Sequence, residues 1–119
     1  MKPLYAIIAL LTGCSISVEQ LDSPPVEYAL HAAGCEGVKV FAYDNMQQLE
    51  SVCNYDAPIA GCAFPDMIAI DGTQNDEYTC QSVAHECIHI VYYRENGAWK
   101  YSHDPEEAAF ISDTCKGWR

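Results

Sequence analysis

The residues best suited to chemistry lie together at His85-Glu86-Cys87-Ile88-His89. Two histidines four apart on an α-helix are ~40° apart around its axis and ~6 Å apart along it, so both imidazoles can reach one point. Neutral imidazole nitrogen binds a borderline-soft divalent cation such as zinc at ~2.0–2.1 Å. Glu86 follows His85 by one residue, ~100° around the helix, so it flanks such an ion rather than ligating it. A carboxylate there can take a proton from an activated water, the general-base role in H-E-x-x-H sites.

Three protein donors and one open position make a catalytic zinc site. The third donor must come from elsewhere, and the chain offers His103, Glu106 and Glu107 downstream. His31 lies far upstream and reads as a surface histidine. Glu106 and Glu107 also have a simpler use, facing the dipole at the start of a helix.

The helix that carries the motif is the clearest element in the chain. It is expected over residues 76–94, with Asn75 as N-cap, Asp76 and Glu77 in the first turn, Arg94 in the last, and Asn96-Gly97 ending it. Tyr78, Gln81, Ser82, His85, His89 and Tyr92 fall on one face. Val83, Cys87, Ile90 and Val91, with Cys80, fall on the other. Cys87 therefore points away from the histidines. Cys80 and Cys87 are ~10.5 Å apart along the helix, beyond the ~7 Å limit between bridged α-carbons, so each must pair elsewhere.

A second helix should begin at Asp104-Pro105-Glu106-Glu107 and run to about 116, with Ala108, Ile111, Cys115 and Trp118 as its apolar stripe. Upstream, 26–33 reads as a short helix after Pro24-Pro25, stopped by Gly34. Residues 38–43 read as a strand. A helix capped by Asp44 or Asn45 follows to about 53. Residues 58–64 form a loop or short strand, and Met67-Ile68-Ala69-Ile70 a strand closed by Asp71-Gly72.

The 119 residues suffice for one domain. With 17 Asp and Glu against 6 Lys and Arg, the surface is acidic, which excludes nucleic acid as a partner and a polybasic grip on anionic lipid. Met1-Lys2 and the apolar run at 4–11 fit the start of a secretory signal, the run being too short to span a bilayer. Leu11-Thr12-Gly13-Cys14 resembles a bacterial lipobox. The resemblance implies a signal peptide at 1–13, cleavage before Cys14, acylation there, and a polar tether over 14–25 ahead of a domain at 26–119. Ser15 after the cysteine implies the outer membrane, on its periplasmic or surface face.

Of the seven cysteines, Cys14 is then set aside, leaving Cys35, Cys53, Cys62, Cys80, Cys87 and Cys115. An even number in a small exported domain reads as a disulfide framework, with 15 possible connectivities for three bridges. No C-x2-C pair occurs, which argues against cysteine-ligated zinc.

The stretch from His85 to Phe110 resembles the zincin metallopeptidases. H-E-x-x-H followed by a helix end, a Gly-containing loop, a histidine and a proline-led acidic turn is similar to the SprT-type arrangement. That resemblance makes His103 the third ligand. A gluzincin-like arrangement would instead use a glutamate of Glu106-Glu107-Ala108-Ala109-Phe110, with Glu107 ahead of Glu106. The metzincin pattern is absent, since Tyr92 and Glu95 stand where its glycine and third histidine would be. The resemblance further implies an α+β, zincin-like fold with a short mixed sheet packed on the motif helix. In it, strand 67–70 would border the cleft and pair with an extended peptide. Tyr92, Tyr93 and Tyr101 are available to support transition-state charge. The expected activity is zinc-dependent hydrolysis of peptides or proteins with Glu86 as base. The alternative is a non-catalytic lipoprotein binding module, with structural zinc or none.

Overall fold

The strand expected around 38–43 forms as β2, Lys39–Tyr43, in the middle of the sheet of a computed structural model that describes residues 18–54, 59–100 and 102–118. Its side chains alternate between two apolar surroundings. Val40 and Ala42 join the larger core, and Phe41 and Tyr43 the smaller one. Burial on both faces explains why this strand, and β4 (Met67–Asp71) beside it, are continuous apolar runs.

β1 (Val18–Leu21) and β3 (Gly61–Phe64) complete a mixed sheet of order β1-β2-β4-β3. β2 and β4 are parallel, and each edge strand runs antiparallel to its neighbour. Helix α1 (Pro24–Ala33) and the long α3 (Asp76–Asn96) cover one face, and α2 (Met46–Cys53) the other. α4 (Pro105–Thr114) packs on α3 from outside. The fold is α+β, with the mixed sheet packed on the motif helix as expected.

Local signals account for the helix ends. Gly34 and Gly97 close α1 and α3 in left-handed conformation, φ 88° and 72°. Asn45 and Asn75 accept the backbone N–H of Gln48 and Tyr78. Asp104 and Glu107 form a reciprocal capping box at the start of α4.

The N-terminal expectation needs correction. Residues 18–21 are part of the sheet rather than tether, and the helix begins at Pro24, not after the prolines. Leu21 packs on the larger core and Val18 on the smaller one, so the strand is anchored to both faces. Prolines at the first helical positions cost nothing, because those N–H groups have no partner within the helix. The folded unit thus starts at least eight residues before 26. The signal peptide and Cys14 lie outside the described residues. Among those described, no helix is long and apolar enough to cross a membrane.

The apolar stripe expected on α4 is also narrower than read. Ala108 is exposed, and no residue of the helix itself is fully buried. The contact is made by half-buried Ile111 and Trp118 and by buried Cys115.

Three disulfides fasten these layers. Cys35–Cys87 joins the segment after α1 to α3, Cys80–Cys115 joins α3 to the end of α4, and Cys53–Cys62 joins α2 to β3. As the helical geometry required, Cys80 and Cys87 each pair with a distant partner, so α3 is pinned twice.

β3 lies tight against β4 at Gly61. A Cβ there would lie 2.6 Å from the Ala69 carbonyl oxygen and 3.1 Å from Ile70 Cγ2. Gly61→Ala must push the edge strand outward and should cost about 1–3 kcal/mol in urea unfolding. An unchanged midpoint would mean that β3 adjusts freely.

Candidate metal centre

α3 carries His85 and His89 one turn apart, and the chain after Gly97 turns back along it to bring in His103. The His85 Nε2 atom is 3.3 Å from His89 Nε2 and 3.2 Å from His103 Nε2. One ligand-capable nitrogen from each of the three lies within 4.8 Å of the others. No carboxylate belongs to that group. Glu107 Oε1 is instead engaged by the backbone N–H of Asp104 at 3.0 Å. Of the candidates for a third donor, the structure brings in His103 and leaves Glu106 and Glu107 out.

Two full hydrogen bonds among the imidazoles cannot account for this convergence. His89 Nδ1–H donates to the Lys100 carbonyl at 2.6 Å, which leaves Nε2 of neutral His89 with a lone pair. His85 Nε2 must then supply a proton to His89. Having done so, it cannot also accept one from His103. In the neutral cluster the one His85 Nε2 proton is either shared between the two short contacts or leaves one of them unsatisfied. A cation resolves the conflict, because all three nitrogens can direct lone pairs at it. Donors ~2.0–2.1 Å from a tetrahedral zinc lie ~3.3–3.4 Å apart. The two Nε2 separations fit that spacing, so the three histidines could hold a metal ion.

The surroundings keep His85 and His89 uncharged. Burial, then repulsion from His103 and His89, lowers His85 from 6.5 to about 4. Burial also lowers His89, and its bond to the Lys100 carbonyl opposes that only in part. At neutral pH each of these two rings is therefore neutral and has one nitrogen lone pair to offer, as metal binding requires.

Glu86 is buried and lies beside the cluster, its Oε2 3.9 Å from His85 Nε2. Burial pushes its carboxyl up from 4.5 to about 7. A group with that value exchanges protons readily near neutrality, as a general base then acid should.

His85, Glu86 and His89 open onto a cleft of about 690 Å³. Its far wall is β3 with the adjoining Cys53–Cys62 bridge, and Tyr78, Gln81 and Ser82 continue along α3. These three were legible from the helical wheel, as they share the face of the histidines. The Cys53–Cys62 wall had no sequence signal, because the pairing was undetermined. Nor did the Lys100 carbonyl, a backbone group whose aim depends on the turn after α3.

Two expectations about this cleft change. β4 cannot offer an edge to a peptide, since both its sides are occupied by β2 and β3. Among the described residues β3 is the edge strand on that side of the sheet. Tyr92 and Tyr93 do not line the cleft: Tyr92 lies under Lys100 and Tyr93 stacks on Trp99 at 4.4 Å. Tyr101 lies outside the described residues. His31 pairs with Glu36 at 2.8 Å on the exposed surface, as its surface reading required.

No family model, curated protein or solved structure matches the chain significantly.

Proposed function

We propose that the protein is a zinc-dependent peptide hydrolase, with His85, His89 and His103 as metal ligands and Glu86 as the proton-transfer group. One observation carries this reading: three imidazole nitrogens converge at 3.2–3.3 Å with a buried carboxylate 3.9 Å from one of them, at the wall of an open cleft. A zinc ion there supplies Lewis acidity, which makes water nucleophilic near neutral pH and polarises the carbonyl under attack.

The chain's own groups do the rest. Glu86 accepts a proton from the attacking water and returns it to the leaving amine. Its burial keeps the exchange close to balanced at neutral pH. The outer edge of β3 can bind an extended substrate by main-chain pairing along the cleft. A glycine and two small residues, Gly61, Cys62 and Ala63, leave room there. Tyr78 and Gln81 are the cleft-lining polar groups available to touch the substrate backbone.

The three-histidine set favours a SprT-like zincin arrangement over a gluzincin one. Export to the cell envelope and a lipid anchor on Cys14 complete the proposal, and three disulfides suit an oxidising compartment.

The direct test is metal content and peptide cleavage by the purified protein. We expect about one zinc per chain, lost in His85→Ala and in His103→Ala, and cleavage of an unstructured peptide mixture that stops with chelator and returns with zinc. Protein free of zinc overturns the reading. Zinc bound without any cleavage leaves a non-catalytic binding module in its place.

A further inference from the structure

His103 differs from its two partners in how its second ring nitrogen is held. His103 Nδ1 is buried and has no hydrogen-bond partner among the described residues. Buried polar atoms are nearly always paired, so this one calls for an explanation. Glu107 Oε1 stands 3.5 Å away, one helical turn along. The same oxygen is held by the Asp104 N–H at 3.0 Å and lies 3.6 Å from Lys100 Nζ.

The electrostatics of this arrangement select one form of the ring. With a proton on Nδ1, His103 faces the carboxylate favourably. With a lone pair there, two electron-rich groups oppose each other in a partly buried space. Placing the proton on Nδ1 leaves the lone pair on Nε2, the atom that faces His85. Histidines that bind metals usually donate their other N–H to a carboxylate or carbonyl, which fixes tautomer and ring orientation. His89 has the Lys100 carbonyl for this purpose.

We propose that Glu107 is the positioning residue for His103, a role that rests on the three-histidine metal reading above. Its carboxylate accepts the Nδ1–H of His103 and sets the ring so that Nε2 meets the metal. The capping box serves this purpose as well as the helix. By tying the Glu107 side chain back to Asp104, it holds the carboxylate over the residue that precedes Asp104. Lys100 links the two supports, its carbonyl on His89 and its ammonium beside Glu107. Glu107 thus acts through His103 and does not ligate.

The test compares Glu107→Gln, Glu107→Ala and His103→Ala in the purified full-length protein. Zinc affinity is read by chelator competition, the ligand set by the visible spectrum of the cobalt(II) form, and the fold by metal-free melting. Glutamine keeps the capping acceptor but loses the charge that selects the tautomer. Glu107→Gln should therefore melt like wild type yet bind zinc about tenfold more weakly, and Glu107→Ala up to about a hundredfold more weakly. The cobalt bands of Glu107→Gln should keep their positions, because the ligands are unchanged. Zinc affinity within about twofold of wild type in Glu107→Gln would reduce Glu107 to a capping residue and overturn the proposal. Shifted cobalt bands in Glu107→Gln, with zinc retained by His103→Ala, would make Glu107 a ligand and also overturn it. A wild-type protein that binds no zinc overturns the metal reading itself, an outcome distinct from both.

Discussion

Glu86→Gln should retain zinc at the wild-type ratio, lose peptide turnover by about 10²–10⁴-fold, and yet fold more stably. The activity loss follows because glutamine can accept a hydrogen bond but cannot take the proton from the attacking water. The gain in stability follows from burial. Holding Glu86 ionised beside the metal-free cluster costs the folded state, since its carboxyl is pushed up to about 7 from 4.5. Removing that charge should recover on the order of 1–3 kcal/mol above pH 7.

The sign of the pH dependence provides a second check in the metal-free protein. Between 4.5 and about 7 the folded chain holds a proton on Glu86 that the unfolded chain has released. Its contribution is full below 4.5 and is lost as pH rises through 7. His85 behaves oppositely, titrating at about 4 when folded against 6.5 when free. Its contribution is full above 6.5 and is lost as pH falls towards 4, with His89 acting in the same direction. Glu86 opposes His85 and His89, so urea unfolding of the metal-free wild type should change less with pH between 4.5 and 6.5 than it would without Glu86. Glu86→Gln removes one slope, and its stability should climb with pH over the same range. Parallel profiles for the two proteins would refute the assignment of a raised Glu86. Full turnover in Glu86→Gln would refute its catalytic role.

The second large effect concerns the bridge between the layers that carry the motif helix. Replacing Cys35 and Cys87 together by alanine should cost about 4 kcal/mol, from the loop entropy that the bridge removes from the unfolded chain. The bridge spans 52 residues, against 35 for Cys80–Cys115 and 9 for Cys53–Cys62. The corresponding losses are just under ~4 and ~2.6 kcal/mol. Domains of this size are stable by roughly 5–15 kcal/mol, so the first two substitutions can take most of the margin. Cys35 and Cys87 are fully buried, which adds the loss of packed sulfur to the entropic term. The site should weaken with the fold, because Cys87 lies between Glu86 and His89 on the same helix. Denaturant unfolding of the three paired alanine variants under oxidising conditions gives the order directly. A Cys53–Cys62 variant less stable than the Cys35–Cys87 one would reject the loop-length argument.

Much of the site was readable because its key contacts are local. His85, Glu86 and His89 share one helix, and helical geometry alone brings the two rings to one point. The same geometry forbade a Cys80–Cys87 bridge. Asn75, Gly97 and the Asp104-Pro105 start are short-range signals, so the elements that hold the motif could be bounded in advance. β1 escaped notice for the opposite reason. A four-residue strand with two apolar side chains has little pattern of its own, and it forms because β2, more than 20 residues later, provides the partner. Ala108 was misplaced on a stripe because periodicity shows a helix face without showing what covers it.

The sequence by itself determined the two-histidine pair with its flanking carboxylate, the helix that carries them and the need for distant cysteine partners. Each depends on spacing within one element or on composition. Tertiary structure decided which side chain joins the histidine pair, bringing His103 to 3.2 Å of His85 while Glu107 stayed in its cap. It also decided the disulfide pairing and made β3, not β4, the edge strand beside the cleft. Those outcomes depend on how the chain returns after Gly97 and on strand order, and separation along the chain does not encode distance between its folded parts.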